Sequence, residues 1–93
     1  MNKVFVASLV RNGVLGGSLT VDDSAVTYKT GKLTVPEKLR NLRIPFGDIA
    51  SFETSVAKTI LHLKSGESYT FIVFGNGKFA DLLSEKRVAG HRE

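Results

Sequence analysis

The sequence predicts a small, mainly β domain: about seven short antiparallel strands forming a closed or nearly closed sheet, covered by one C-terminal helix. Three observations carry this expectation. Apolar and polar residues alternate over short stretches; glycine and small polar residues interrupt those stretches at close intervals; and helical spacing of apolar residues stands at the C-terminal end.

The 93 residues form a single domain, because a second would leave neither half a workable core. There is no cysteine, so disulfides, thiolate metal sites and thiol nucleophiles are excluded. Met1-Asn2-Lys3 before the apolar run Val4–Val10 has the outline of a signal peptide. Arg11 ends that run early and no A-x-A site follows, so a β-strand is expected there and a cytoplasmic location with it. Nowhere does the chain approach the roughly 18 apolar residues of a membrane span. Thirteen basic against nine acidic residues give a net charge of +4. Lys29, Lys32, Lys38, Arg40 and Arg43, set against Glu37, account for that whole excess within one window.

The first strand is expected at Lys3–Val10, turning at Arg11-Asn12-Gly13, where Asn-Gly tolerates the positive φ of a tight hairpin. A second covers Gly17–Val21, with Leu19 and Val21 on one face. Asp22-Asp23-Ser24 turns the chain by bonding nearby backbone. Ala25–Thr30 follows with Val26 and Tyr28 inward. Gly31–Arg40 reads as a basic connection, since Pro36 cannot donate to a central ladder. Asn41–Phe46 resumes alternation with Leu42, Ile44 and Phe46 inward, and Gly47-Asp48 turns into Ile49–Val56. Lys58–Lys64 sets Leu61 and Leu63 against His62 and Lys64, and Ser65-Gly66-Glu67 turns into Ser68–Phe74. That last strand is apolar on both faces, which predicts burial on both sides beneath a second layer. The helix is expected at 77–88, with Phe79, Leu82 and Leu83 on its apolar stripe, Asn76 as its cap, and residues 89–93 a frayed tail.

Particular residues then bear a family resemblance. Gly17-Ser18-Leu19-Thr20-Val21 leading to Ala25-Val26-Thr27-Tyr28 resembles a hairpin of GRAM and bacterial PH-like domains. Ile44-Pro45-Phe46-Gly47-Asp48-Ile49-Ala50-Ser51 is similar to their I-P-x-x-D-I segment. Leu61 to Phe71 is similar to their strand–G-x-x-Y-x-F hairpin, and Lys78-Phe79 stands where the family's helix begins. The similarity spans roughly residues 15 to 86. It implies a PH-like barrel of about seven strands capped by a C-terminal helix, serving as a non-catalytic interaction module. The family's lipid-binding basic signature is not met in the first hairpin, which offers Lys3 and Arg11.

Other motifs read as structure. Gly75-Asn76-Gly77-Lys78-Phe79-Ala80 spells G-x-G-x-x-A, but the βαβ unit and distant acid of a dinucleotide site do not follow. His62 and His91 have no acidic residue at metal-ligand spacing, and Asp22-Asp23 fits turn chemistry better than acid–base work. No nucleophile–base pair or cofactor site is expected, and a small molecule in the barrel mouth ranks third among the readings because no polar determinant marks one. Nucleic acid is not expected either, because the aromatics fall at inward positions. The expected partner is another protein or a second copy, bound at a sheet edge formed by residues 41–46 and 25–30, or in the groove beside the helix. The alternative is an anionic membrane surface held by Lys29, Lys32, Lys38, Arg40 and Arg43.

Overall fold

The computed structural model describes residues 3–10, 13–31, 37–86, 88 and 90–92; for residues 37, 38, 91 and 92 it describes the backbone alone. Strands β1 (Lys3–Val10), β2 (Val14–Val21) and β3 (Ala25–Lys29) are followed by a single turn of helix, α1 (Glu37–Arg40). Then come β4 (Asn41–Pro45), β5 (Ile49–Thr54), β6 (Lys58–Leu63), β7 (Ser68–Val73), helix α2 (Asn76–Glu85) and β8 (Gly90–Arg92). The fold is mainly β, with seven antiparallel strands and a C-terminal helix, as the alternation predicts.

All eight strands belong to one sheet, in the order β4-β3-β2-β1-β7-β6-β5-β8. The sheet is not closed into a barrel by hydrogen bonds, which corrects the expected closure. Consecutive β4 and β5 are unpaired: Pro45 removes an amide and the 3-10 turn Phe46–Asp48 separates them, while β5 pairs with β6 instead. Gly47 and Asp48 belong to that turn. Asp48 contributes its main-chain carbonyl there, accepting from the Lys64 N–H at 2.9 Å.

One face of the sheet holds the core. Leu9, Leu19, Tyr28, Ile44, Phe52, Leu61 and Phe71, one from each of seven strands, are buried against Phe79, Ala80 and Leu83 of α2. Phe79 meets Phe5 edge-on, with ring centroids 5.5 Å apart, an arrangement favoured by the aromatic quadrupole. Tyr28 buries its ring beside Phe71 and donates its hydroxyl to the Leu15 carbonyl at 2.6 Å. That bond satisfies the one polar atom its burial would otherwise strand.

Four expectations need correction. The helix ends at Glu85, so Val88 lies beyond it, buried in the core. Asn76 is the first residue of α2 and not its cap. Gly75 precedes it at φ 83, a left-handed turn that a β-carbon would disfavour, and makes no side-chain cap bond. Within the expected frayed tail 89–93, Gly90–Arg92 instead runs parallel to β5, pairing Phe52 with Gly90 and Glu53 with His91, while residues 89 and 93 lie outside the described residues. Any β-carbon at position 90 would fall inside the Phe52 ring, so glycine is what lets β8 lie flat on that edge. Finally, Ser68–Phe74 is not buried on both faces, since Phe74 lies past the end of β7 in solvent. The strand limits otherwise shift by a few residues: β2 begins at Val14, and β5 stops at Thr54, leaving Val56 exposed in the turn.

The Asp22 turn behaves as its sequence predicts. Asp22 Oδ1 accepts from the amides of Ser24 at 2.7 Å and Ala25 at 2.8 Å. These donors, the Ser24 amide first, hold its carboxyl below the usual aspartate range. A carboxylate pKa depressed by folding contributes stability that is present above the unfolded value and lost as pH falls through the folded one. Urea midpoints of Asp22→Ala and the parent chain are therefore expected to differ at neutral pH, with the gap closing as the pH falls below the usual aspartate range.

Candidate functional site

The outward positions of the sheet hold the candidate surfaces. In β1, residues Phe5, Ala7 and Leu9 turn inward, which leaves Val4, Val6 and Val10 outside; Val14 faces Val10 across the hairpin. All four are exposed, at 66%, 63%, 38% and 58%, and Phe74 beside them is 73% exposed. Phe74 N–H donates to the Val6 carbonyl at 3.0 Å, so its side chain adjoins the valine row. Val4, Val6 and Phe74 adjoin one another on this face, and Val10 and Val14 form a second exposed apolar pair beyond Ser8. Ser8 on β1 and Gly16, Ser18 and Thr20 on β2 are the small or polar outward neighbours, and half-buried Ile72 of β7 lies opposite Ser8. The expectation that every aromatic points inward fails at Phe74.

The basic window is only partly drawn together. Lys29 ends β3 opposite Asn41, and Arg40 ends α1 immediately before β4. Together with Ser18, Thr30 and Asn41 they line an open concavity of about 540 Å³. The Arg40 Nε is buried without a hydrogen-bond partner among the described residues. Arg43 lies on the same outward face but opposite Thr27, with its Nη2 3.5 Å from Ser24 Oγ. Lys32 lies outside the described residues, and for Lys38 the backbone places it in α1.

Sequence spacing gave no hint of a third grouping. His62 shares hydrogen bonds with Ser68 Oγ at 3.0 Å and Glu53 Oε2 at 2.6 Å, linking β5, β6 and β7. Serine, histidine and carboxylate in one chain have the order of a hydrolytic triad. The setting lacks the rest of that machinery. All three side chains stand on an open sheet face, and the adjoining amides of β6 and β7 belong to a paired ladder. Cross-strand pairing between polar residues accounts for the chain. Among the described residues no three histidine, cysteine or carboxylate side chains are grouped to hold a metal, and no helix is long and apolar enough to cross a membrane.

The expected binding edge also changes. β3 is paired on both sides, so residues 25–30 are not an edge. β4 is one, but it is short: Arg40 O and Phe46 N bond toward β3, so the odd positions 41, 43 and 45 face outward, and Pro45 has no donor to offer. At the other end β8 covers β5.

A different edge is open. β1 pairs with β2 along its whole length, but with β7 only from Ala7 to Val10. Beyond Phe74 the chain turns at Gly75 into α2, leaving the other side of Lys3–Phe5 unpaired by any described strand. Between that edge and α2 runs a groove of about 390 Å³ lined by Lys3, Val4, Phe5, Lys78, Asp81 and Leu82. No family model matches this chain, and no characterised protein sequence matches it either.

Proposed function

We propose that the chain is a non-catalytic, PH/GRAM-like interaction module of the cytoplasm that binds another protein or a second copy of itself. The exposed apolar residues Val4, Val6, Val10, Val14 and Phe74 carry this reading. Exposed apolar groups of this kind cost solvation in the free protein, and interaction surfaces are where they persist. The surface is the centre of the sheet and the groove beside it, because β4 is short and proline-blunted and β5 is covered.

Sedimentation equilibrium tests self-association. Reversible dimerisation that Val6→Lys abolishes is the expected result if this face pairs with itself, and a monomer at high concentration assigns it to a foreign protein. The reading fails if the chain binds neither itself nor any polypeptide.

A second reading is favoured by Lys29 and Arg40 sharing one concavity, with the buried Arg40 Nε unpaired among the described residues. On this reading the module sits on an anionic membrane surface through Lys29, Lys32, Lys38, Arg40 and Arg43, each cation contributing about 1 kcal/mol near the charged leaflet. Cosedimentation with phosphatidylserine vesicles at low salt, lost at high salt and in Lys29→Glu/Arg40→Glu, would support it. No sedimentation at low salt removes it.

A further inference from the structure

We propose that the groove between the N-terminal half of β1 and α2 takes an extended peptide segment of a partner protein as an added strand, one carrying an apolar side chain beside a carboxylate. The inference rests on the interaction-module reading and gives it a place and a partner chemistry.

The backbone supplies the first argument. Val6 O accepts from Phe74 N–H, so Val6 faces the β7 side, and strand alternation turns the Val4 N–H and C=O the same way. The partners of Phe5 and Lys3 lie on β2, at Leu19 and Val21. Val4 therefore presents a donor and an acceptor on the line that β7 leaves when the chain turns at Gly75. An extended segment laid there continues β7 and meets those groups with its own backbone, the mode by which sheet edges capture peptides.

Side chains supply the second. On its inner side the added strand meets Phe5 and Leu82, both partly buried hydrophobics at the margin of the core. Its outer side lies beside exposed Val4, with Phe74 at its end. An apolar residue facing Phe5 and Leu82 removes their remaining surface from water. Charge decides the rest. Lys3 and Lys78 flank the groove against Asp81, an excess of one cation that favours a carboxylate on the incoming strand. The same lysines disfavour a second copy, because two β1 edges pairing there would bring like charges together.

A random-peptide phage library panned on the full chain supplies the probe, and the selected peptide is synthesised and titrated against variants. Val4→Pro removes the edge donor without touching the β2 ladder, and is expected to weaken binding by roughly tenfold. Lys3→Glu/Lys78→Glu leaves the backbone intact. It should weaken the acidic peptide and restore affinity for a version with lysine in place of its carboxylate. Circular dichroism of each variant checks that it is folded. A peptide unaffected by both changes but lost on Val14→Lys binds the outer face, which overturns the groove and leaves the module reading standing. A library that yields no binder overturns the groove as well. Vesicle binding together with a monomeric, peptide-inert chain overturns both.

Discussion

Phe79→Ala is expected to destabilise the domain by about 3–5 kcal/mol, the usual loss for a fully buried phenylalanine. The ring is entirely enclosed and meets Phe5 edge-on. Alanine would leave a void between α2 and β1, where a well-packed interior relaxes only in part. A chain of this size holds roughly 5–14 kcal/mol in all. The melting temperature should therefore fall by roughly 15–30 °C, and a parent protein near the lower bound would unfold. Leu82→Ala, at the half-buried edge of the same helix, serves as the comparison and should cost clearly less. Equal losses at the two positions would mean that α2 does not plug the core through Phe79.

Asn76→Leu should lose about 3 kcal/mol, for a different reason. Asn76 Nδ2 donates to Thr54 Oγ1 and the Ser55 carbonyl, both at 2.7 Å, and to the Lys58 carbonyl at 3.3 Å. Its Oδ1 accepts from Thr59 Oγ1 at 2.5 Å, and the two threonine hydroxyls bond each other at 3.0 Å. Two carbonyls facing one end of the amide fix which end carries the NH2. This cluster pins the first turn of α2 to the β5–β6 turn, and a leucine leaves the Ser55 carbonyl without that partner in partly buried surroundings. Asn76→Asp provides a sharper test. An ionised carboxylate there faces acceptors where a donor is needed, so its pKa must rise. A group whose pKa is raised by folding costs stability when ionised, and its deficit shrinks as pH falls toward the folded value. Urea denaturation of N76D is expected to show greater relative stability in acid than at neutral pH. A pH-independent deficit would contradict the network.

What the sequence made legible follows period-two alternation. Leu19 and Val21, Val26 and Tyr28, and Leu61 before Leu63 give strands, because burying one face forces that pattern. Asp22-Asp23-Ser24 and Gly66 gave turns for equally local reasons, the latter at φ 97. Other features depend on distant partners. Gly90-His91-Arg92 has no apolar rhythm, and it becomes a strand only because β5 offers an edge and Phe52 tolerates no side chain at position 90. Asn76 resembles a cap, yet two threonines and two turn carbonyls elsewhere in the chain claim its amide. Alternation also cannot tell which outward apolar residues will be covered, so a pattern that predicts Phe74 beneath a second layer fails where it stands in water.

The candidate site was less legible still. The basic window is plain in the sequence, but its division into a Lys29–Arg40 concavity and a separate Arg43 depends on where α1 ends. Nothing in the order of residues marks the groove at Lys3–Phe5. It exists because β7 stops at Val73 and Gly75 diverts the chain, while β1 runs on.

That open edge of β1 is the centre of the functional account, and amide hydrogen exchange resolved by residue tests it most directly. With Phe5 paired to Leu19 and Val4 facing the groove, the Phe5 amide should be protected while Val4 exchanges freely, and the selected peptide should then protect Val4. A Val4 amide as protected as Phe5 in the free protein would mean that the edge is already taken, contradicting both the groove and the partner assigned to it.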